Sequence, residues 1–197
     1  MLIMRNFFAI AITLFLVIDA LGILPTYVSM VDKLNKKRRT LIAVRELFIA
    51  LGIMIIFHYF GHVLLNLLEV TKTTVQISGG IVLFLIAVRL IFATEQESNG
   101  FWGKGEPFIV PIATPLIAGP SLLALIMIYA QEQPHNPIVL GAIFLAWFVS
   151  AIIILCARPI YRLMGEKGLM ACQSLMGLIV GLIAVEMFLR GVKGLIL

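Results

Sequence analysis

Six long apolar runs, separated by short polar stretches, set the pattern of this chain. They cover about Asn6–Val31, Leu41–Phe60, Val75–Phe92, Phe108–Ala130, Ile138–Ala157 and Met170–Leu189. Each predicts one helix long enough to cross about 30 Å of hydrocarbon. The connections Asp32–Thr40, Gly61–Thr74, Ala93–Pro107, Gln131–Pro137 and Arg158–Leu169 are too short to fold alone. Residues 1–197 are therefore expected to form a single integral membrane domain.

Composition sharpens this reading. Of 197 residues, 61% are hydrophobic and only 13% charged, and the mean hydropathy is +1.10. Soluble domains run at about 45–50% apolar and about 25% charged, and a chain of this size has no interior able to hide so much apolar surface. This excludes a soluble enzyme, a nucleic-acid-binding module and a disordered chain. Cys156 and Cys172 form neither a CxxC motif nor a disulfide framework. Arg5 followed by Phe7–Ile18 resembles a signal peptide, but the apolar pattern runs on to Val31 without a clean cleavage site. A retained first helix is expected.

The net charge of +5 then reports orientation rather than a nucleic-acid partner. The first connection holds Lys33, Lys36, Lys37, Arg38 and Arg39, and the third and fifth add Lys104, Arg158, Arg162 and Lys167. The other side keeps Arg5, Lys72, Arg190 and Lys193, nine against four. With six spans, both termini are expected outside.

Sliding the chain on itself by 97 residues aligns Gln76 with Gln173, Gly80 with Gly177, and Leu85–Val88 with Leu182–Val185, six identities in thirteen positions. The same offset sets Gly22 on Gly119. Helices one to three thus match helices four to six, as repeats of about 1–93 and 108–197. Three helices per repeat make the second half enter the membrane from the opposite face. The expected fold is an all-α membrane protein of six transmembrane helices in two inverted three-helix repeats, a plan common among secondary transporters.

In such proteins the solute site lies where matching helices break. Helix one carries Asp19-Ala20-Leu21-Gly22-Ile23-Leu24-Pro25, and helix four carries Thr114-Pro115-Leu116-Ile117-Ala118-Gly119-Pro120-Ser121. Proline removes a backbone donor and glycine permits a bend. Lipid cannot satisfy the backbone groups this frees, so the breaks must face protein or a wet cavity. The plainer reading is a pair of packing kinks. Matching positions in the two repeats favour a substrate-binding region formed by Asp19, Gly22, Pro25, Thr114, Pro115, Gly119, Pro120 and Ser121.

These motifs resemble the MarC family of bacterial inner-membrane proteins over nearly the whole chain. The resemblance rests on Gly22 and Pro25 in helix one, Ala43-Val44-Arg45-Glu46 opening helix two, Gly79-Gly80 in helix three and Pro115-Leu116-Ile117-Ala118-Gly119-Pro120 in helix four. The family has Asn-Pro where this chain has Asp19-Ala20, and usually glycine where it has Ser121. The resemblance implies a bacterial inner-membrane location and a plan similar to LysE-type exporters.

Asp19 stands roughly 20 Å along its span, too deep to reach the surface, and a charge there costs about 2.5–3.5 kcal/mol. It is expected to line a cavity or take part in binding. Glu46 joins the candidate binding residues; it points about 100° away from Arg45 around the helix, so its cation is expected elsewhere. Glu186 is expected to pair with Arg190, four residues on, rather than with Arg89. Gly177 and Gly181 predict close helix packing. His58 and His62 with His135 give no fourth metal ligand and are read as interfacial. No metal or cofactor is expected.

The spans hold no nucleophile–base pair and no HExxH, so catalysis is not expected. The expected function is a secondary transporter, an exporter of a small polar or charged solute, with a midplane site at the broken helices one and four. A passive channel and a non-transporting assembly or regulatory subunit are the alternatives. The expected partners are the lipid bilayer and a small molecule or ion, and association into a homo-oligomer is left open.

Overall fold

The computed structural model describes residues 2–31, 35–92, 117–132 and 137–196. These hold seven helices: α1 Leu2–Ile18, α2 Leu24–Val31, α3 Lys36–Leu67, α4 Lys72–Ile91, α5 Pro120–Glu132, α6 Pro137–Leu155 and α7 Ala157–Ile196. Four of them, α3, α4, α6 and α7, are long and apolar enough to cross a membrane; Asn6–Ile18 and Pro120–Ala130 are shorter apolar helices. Many large apolar side chains face outward, among them Leu41, Phe48, Phe60, Leu85, Phe148 and Leu182. In water this surface would be an aggregation hazard; against lipid it is the expected exterior.

Several boundaries differ from the sequence expectation. The first apolar run is two helices, α1 and α2, separated by the non-helical turn 19–23. The second helix begins at Lys36 and ends at Leu67, beyond both predicted limits, because helix hydrogen bonding continues into the polar flanks that hydropathy assigned to loops. The fifth connection is helical too. Only at Gly165, with φ 66°, does α7 break, in the left-handed region that suits glycine.

The α3–α4 connection shows how a tight reversal is built. Glu69 takes a left-handed φ of 53°. Val70 N–H donates to Leu65 O at 2.9 Å and Glu69 N–H to Asn66 O at 3.2 Å, the bonding of a Schellman stop. Thr71 then caps α4, its Oγ1 accepting from Thr74 N–H at 3.2 Å.

α4 and α7 form the most extensive helix pair. Ile77 lies against Gly191, Gly80 against Ala184 and Phe188, and Ala87 and Ile91 against Gly177, so the two run antiparallel. A methyl built on Gly80 would sit 3.0 Å from Ala184 O, and one on Gly177 would sit 3.0 Å from Ala87 O. The expected role of Gly177 in close packing is thus seen directly. At Gly181 the nearest atom, Ala87 Cβ, is 3.5 Å away, an ordinary contact.

α6 packs on α1 and α3, α5 on α3 and α4, and α2 on α7. Trp147 of α6 donates its indole N–H to Leu47 O of α3 at 2.8 Å, which fixes the register of those two helices. The α4 terminus at Ile91 accepts a hydrogen bond from Ser174 at 3.4 Å, close in sequence to Gly165. One end of the bundle therefore carries the start of α3, the end of α4 and the Gly165 break. Exposed Lys36, Lys37, Arg38, Arg158, Arg162 and Lys167 gather there, and Lys72, Arg190 and Lys193 lie at the other end.

Candidate functional site at the helix breaks

The break in the first span is made by Asp19. Its N–H closes the last turn of α1 on Phe15 O at 3.2 Å, and its φ of 52° then turns the chain out of the helix. Asp and Asn tolerate this left-handed conformation better than other non-glycine residues. One carboxylate oxygen, Oδ1, accepts the Gly22 N–H at 3.1 Å, as a capping side chain does three residues ahead. Ile23 N–H returns to Asp19 O at 3.1 Å, and Tyr27 N–H to Ile23 O at 2.8 Å opens the next helical stretch.

A methyl at Gly22 would run into the Asp19 carboxylate, so the carboxylate would have to move. Pro25 sits in the first turn of α2, where its missing N–H costs nothing. Proline therefore starts the second half-helix rather than kinking a continuous one. The whole turn is enclosed, with Asp19 only 5% exposed and Ala20, Ile23 and Leu24 buried.

The start of α5 uses the same residue types, glycine followed by proline. Ile117, Ala118 and Gly119 are buried and precede α5, which begins on Pro120. Leu123 N–H donates to Gly119 O at 3.1 Å to start the helix. Ser121, in the first turn, is buried. Thr114 and Pro115 lie outside the described residues.

Glu46 is 1% exposed on α3, and here the structure corrects the sequence expectation. Its partner includes the adjacent Arg45, whose Nε and Nη2 donate to Oε1 at 2.9 and 2.7 Å. Neighbouring Cα–Cβ vectors do diverge, but the long arginine stem bends back over its own helix and brings both donors to one oxygen. Arg45 also lies well inside α3, because that helix starts at Lys36.

His58, read from the sequence as lying near the membrane interface, is buried among the helices at 2% exposure. α3 continues to Leu67, so His58 stands inside the helix, a turn from Gly61, which meets Met127 of α5. His62 is half-buried, and His135 is outside the described residues. Glu186 pairs with Arg190 at 2.7 Å, as its spacing predicts.

Sequence reasoning missed Ser150. It is completely buried on α6, and among the described residues its Oγ has no hydrogen-bond partner. A lone serine inside an apolar helix carries no motif that would reveal it.

The family model described as MarC family integral membrane protein matches residues 4–196. The chain is 42% identical over 195 residues to the UPF0056 inner membrane protein YhgN of Escherichia coli K12, covering 96% of this chain and 98% of that one. It is 42% identical over 191 residues to a UPF0056 membrane protein of Buchnera aphidicola subsp. Schizaphis graminum, covering 96% and 97%. A UPF0056 membrane protein of Chlamydia pneumoniae is 29% identical over 195 residues, covering 98% and 95%. No solved structure matches the chain. The chain belongs to the MarC family of integral membrane proteins.

Proposed function

We propose that this MarC-family protein is a secondary transporter of the bacterial inner membrane, an exporter that moves a small polar or charged solute through a site at the two helix breaks. The observation that carries the proposal is the pairing of those breaks. The turn 19–23 precedes α2, residues 117–119 precede α5, and the two lie about one repeat length, 97 residues, apart in the sequence. Breaks inside membrane helices are costly unless they line protein or a cavity, and in transporters they form the solute site.

An inverted three-plus-three repeat with six spans is part of the same reading. Its support is the reciprocity of the α4–α7 pair: Gly80 meets Ala184 and Phe188, while Gly177 meets Ala87 and Ile91. Each contact becomes the other when 97 is added to one partner and subtracted from the other. An antiparallel pair with exchangeable contacts is what a two-fold axis in the membrane plane produces. The left-handed residues Glu69 and Gly165, which end α3 and interrupt α7, also fall nearly one repeat apart.

The orientation in this reading puts the basic end of the bundle in the cytoplasm and both termini outside. The location draws on the inner-membrane naming of the Escherichia coli relative. The test is flux in proteoliposomes made with purified protein, with and without an imposed pH gradient. Gradient-driven movement of a small solute is expected. Flux that only follows the solute's own gradient would mark a passive channel, and flux equal to protein-free vesicles would remove the proposal.

A further inference from the structure

The segment that joins α6 to the long part of α7 is a helix with three distinct faces. α6 has 19 residues, about 28 Å at 1.5 Å per residue, close to the thickness of the membrane hydrocarbon. From Pro137 to Ala157 the chain carries no charge, and Arg158 is the first charged residue beyond that span. The helix then continues over residues 157–164 and breaks at Gly165. This segment therefore begins where a span ends, at the end of the bundle that gathers the basic side chains.

Successive residues step by about 100° around a helix, which sorts the eight side chains. Ala157, Ile160 and Tyr161 share one side. Ala157 is buried, and Ile160 and Tyr161 pack on the core, so this side docks the segment on the bundle. Arg158 and Arg162, four residues apart, form a basic strip, and both are exposed. Pro159 and Leu163 form a second strip next to it, also exposed, with Leu163 at 88%. The segment contains no Asp or Glu; Glu166 follows the Gly165 break.

Neither strip alone calls for a partner, because single exposed leucines are common and basic residues at span ends set orientation. Their combination on one docked helix does. Basic and apolar strips side by side on its outward half match the two zones of a membrane surface. Leucine gains by entering the acyl boundary, while long arginine side chains keep their guanidinium groups among the headgroups. A guanidinium binds phosphate through paired N–H donors. Two basic side chains on a segment without an acid favour a headgroup of net negative charge over a zwitterion.

We propose that residues 157–164 are an interfacial helix that binds an anionic phospholipid of the adjacent leaflet, with Arg162 and Arg158 on the headgroup phosphate and Leu163 against the acyl chains. This needs the protein only to sit in a membrane and does not depend on transport.

The experiment follows the thermal unfolding midpoint of the purified full chain in detergent micelles. Phosphatidylglycerol, or phosphatidylcholine with the same acyl chains, is titrated in. Phosphatidylglycerol should raise the midpoint saturably, and phosphatidylcholine should not. Arg162→Gln should raise the half-saturating lipid fraction about fivefold, the change expected for one cation lost near a headgroup. Leu163→Asn should raise it as well, and Lys193→Gln, at the opposite end, should leave it where it is. All three side chains are exposed, so the lipid-free midpoints should stay at the wild-type value and the titrations compare folded proteins.

Equal responses to the two lipids would overturn the proposal, and so would a wild-type response in Arg162→Gln or Leu163→Asn. A response to glycerol 3-phosphate equal to that of phosphatidylglycerol would make the ligand a soluble phosphate. A doubled mass in wild type that Leu163→Asn returns to the monomer would give the apolar strip to a second copy of the chain. Either of these results also overturns the lipid assignment.

Discussion

Asp19 combines two roles that the sequence presents as one. Hydropathy makes it conspicuous as a charge deep in an apolar run, which suggests binding. The structure adds a backbone role, because Asp19 ends α1 with a left-handed φ of 52° and accepts the Gly22 N–H. Asparagine meets both backbone demands, so Asp19→Asn is expected to remain folded, with a thermal midpoint close to wild type, and to flatten the pH dependence of transport because an amide does not titrate. An unchanged pH profile would reduce Asp19 to its backbone role. Gly22→Ala pushes a methyl into the Asp19 carboxylate and should destabilise by about 1–3 kcal/mol. In an Asp19→Gly background, where the colliding carboxylate is gone and the left-handed turn is kept, that cost should fall. Unfolding measurements on the four proteins of this cycle give the coupling.

Among the elements, hydropathy located the runs that form α3, α4, α6 and α7, but its limits were poorest where polar residues are helical. The sequence pattern ends the second helix at Phe60, and the helix continues to Leu67; that extension is why His58 is buried. Gly22 and Pro25 were legible as a break because glycine and proline have fixed backbone preferences. Glu46 was legible as a buried charge, but its pairing with Arg45 depends on rotamers, which spacing does not encode. Ser150 was illegible, since burial of one hydroxyl depends on how helices pack rather than on a local motif.

Helix packing sets the expected cost of two substitutions at this scale, and backbone conformation that of a third. Gly177→Ala should destabilise by about 1–3 kcal/mol, because its methyl meets Ala87 O at 3.0 Å and Leu90 Cβ at 2.9 Å. Gly181→Ala should change stability by less than about 0.5 kcal/mol. Glu69→Gly should stabilise the α3–α4 reversal by about 1 kcal/mol, because glycine carries no penalty at a left-handed stop. Detergent-denaturation midpoints of the three variants check these signs.

At the scale of the molecule, the glycine contacts between α4 and α7, the breaks ahead of α2 and α5, and the basic end of the bundle fit one arrangement. In the proposed arrangement two similar halves cross the membrane in opposite senses. Alkaline phosphatase fused after Lys193 should be active, and fused at Asn35 inactive. The opposite pattern would reverse the orientation and place the basic end outside.

Transport through the paired breaks is tested most directly by flux. Purified protein in proteoliposomes, given an inward or outward pH gradient and a set of small cationic and zwitterionic solutes, should move at least one of them against its own gradient. Asp19→Asn should alter the pH dependence of that movement. Movement no faster than in protein-free vesicles, with or without the gradient, would contradict the transporter reading and leave the two helix breaks as packing features of a membrane scaffold.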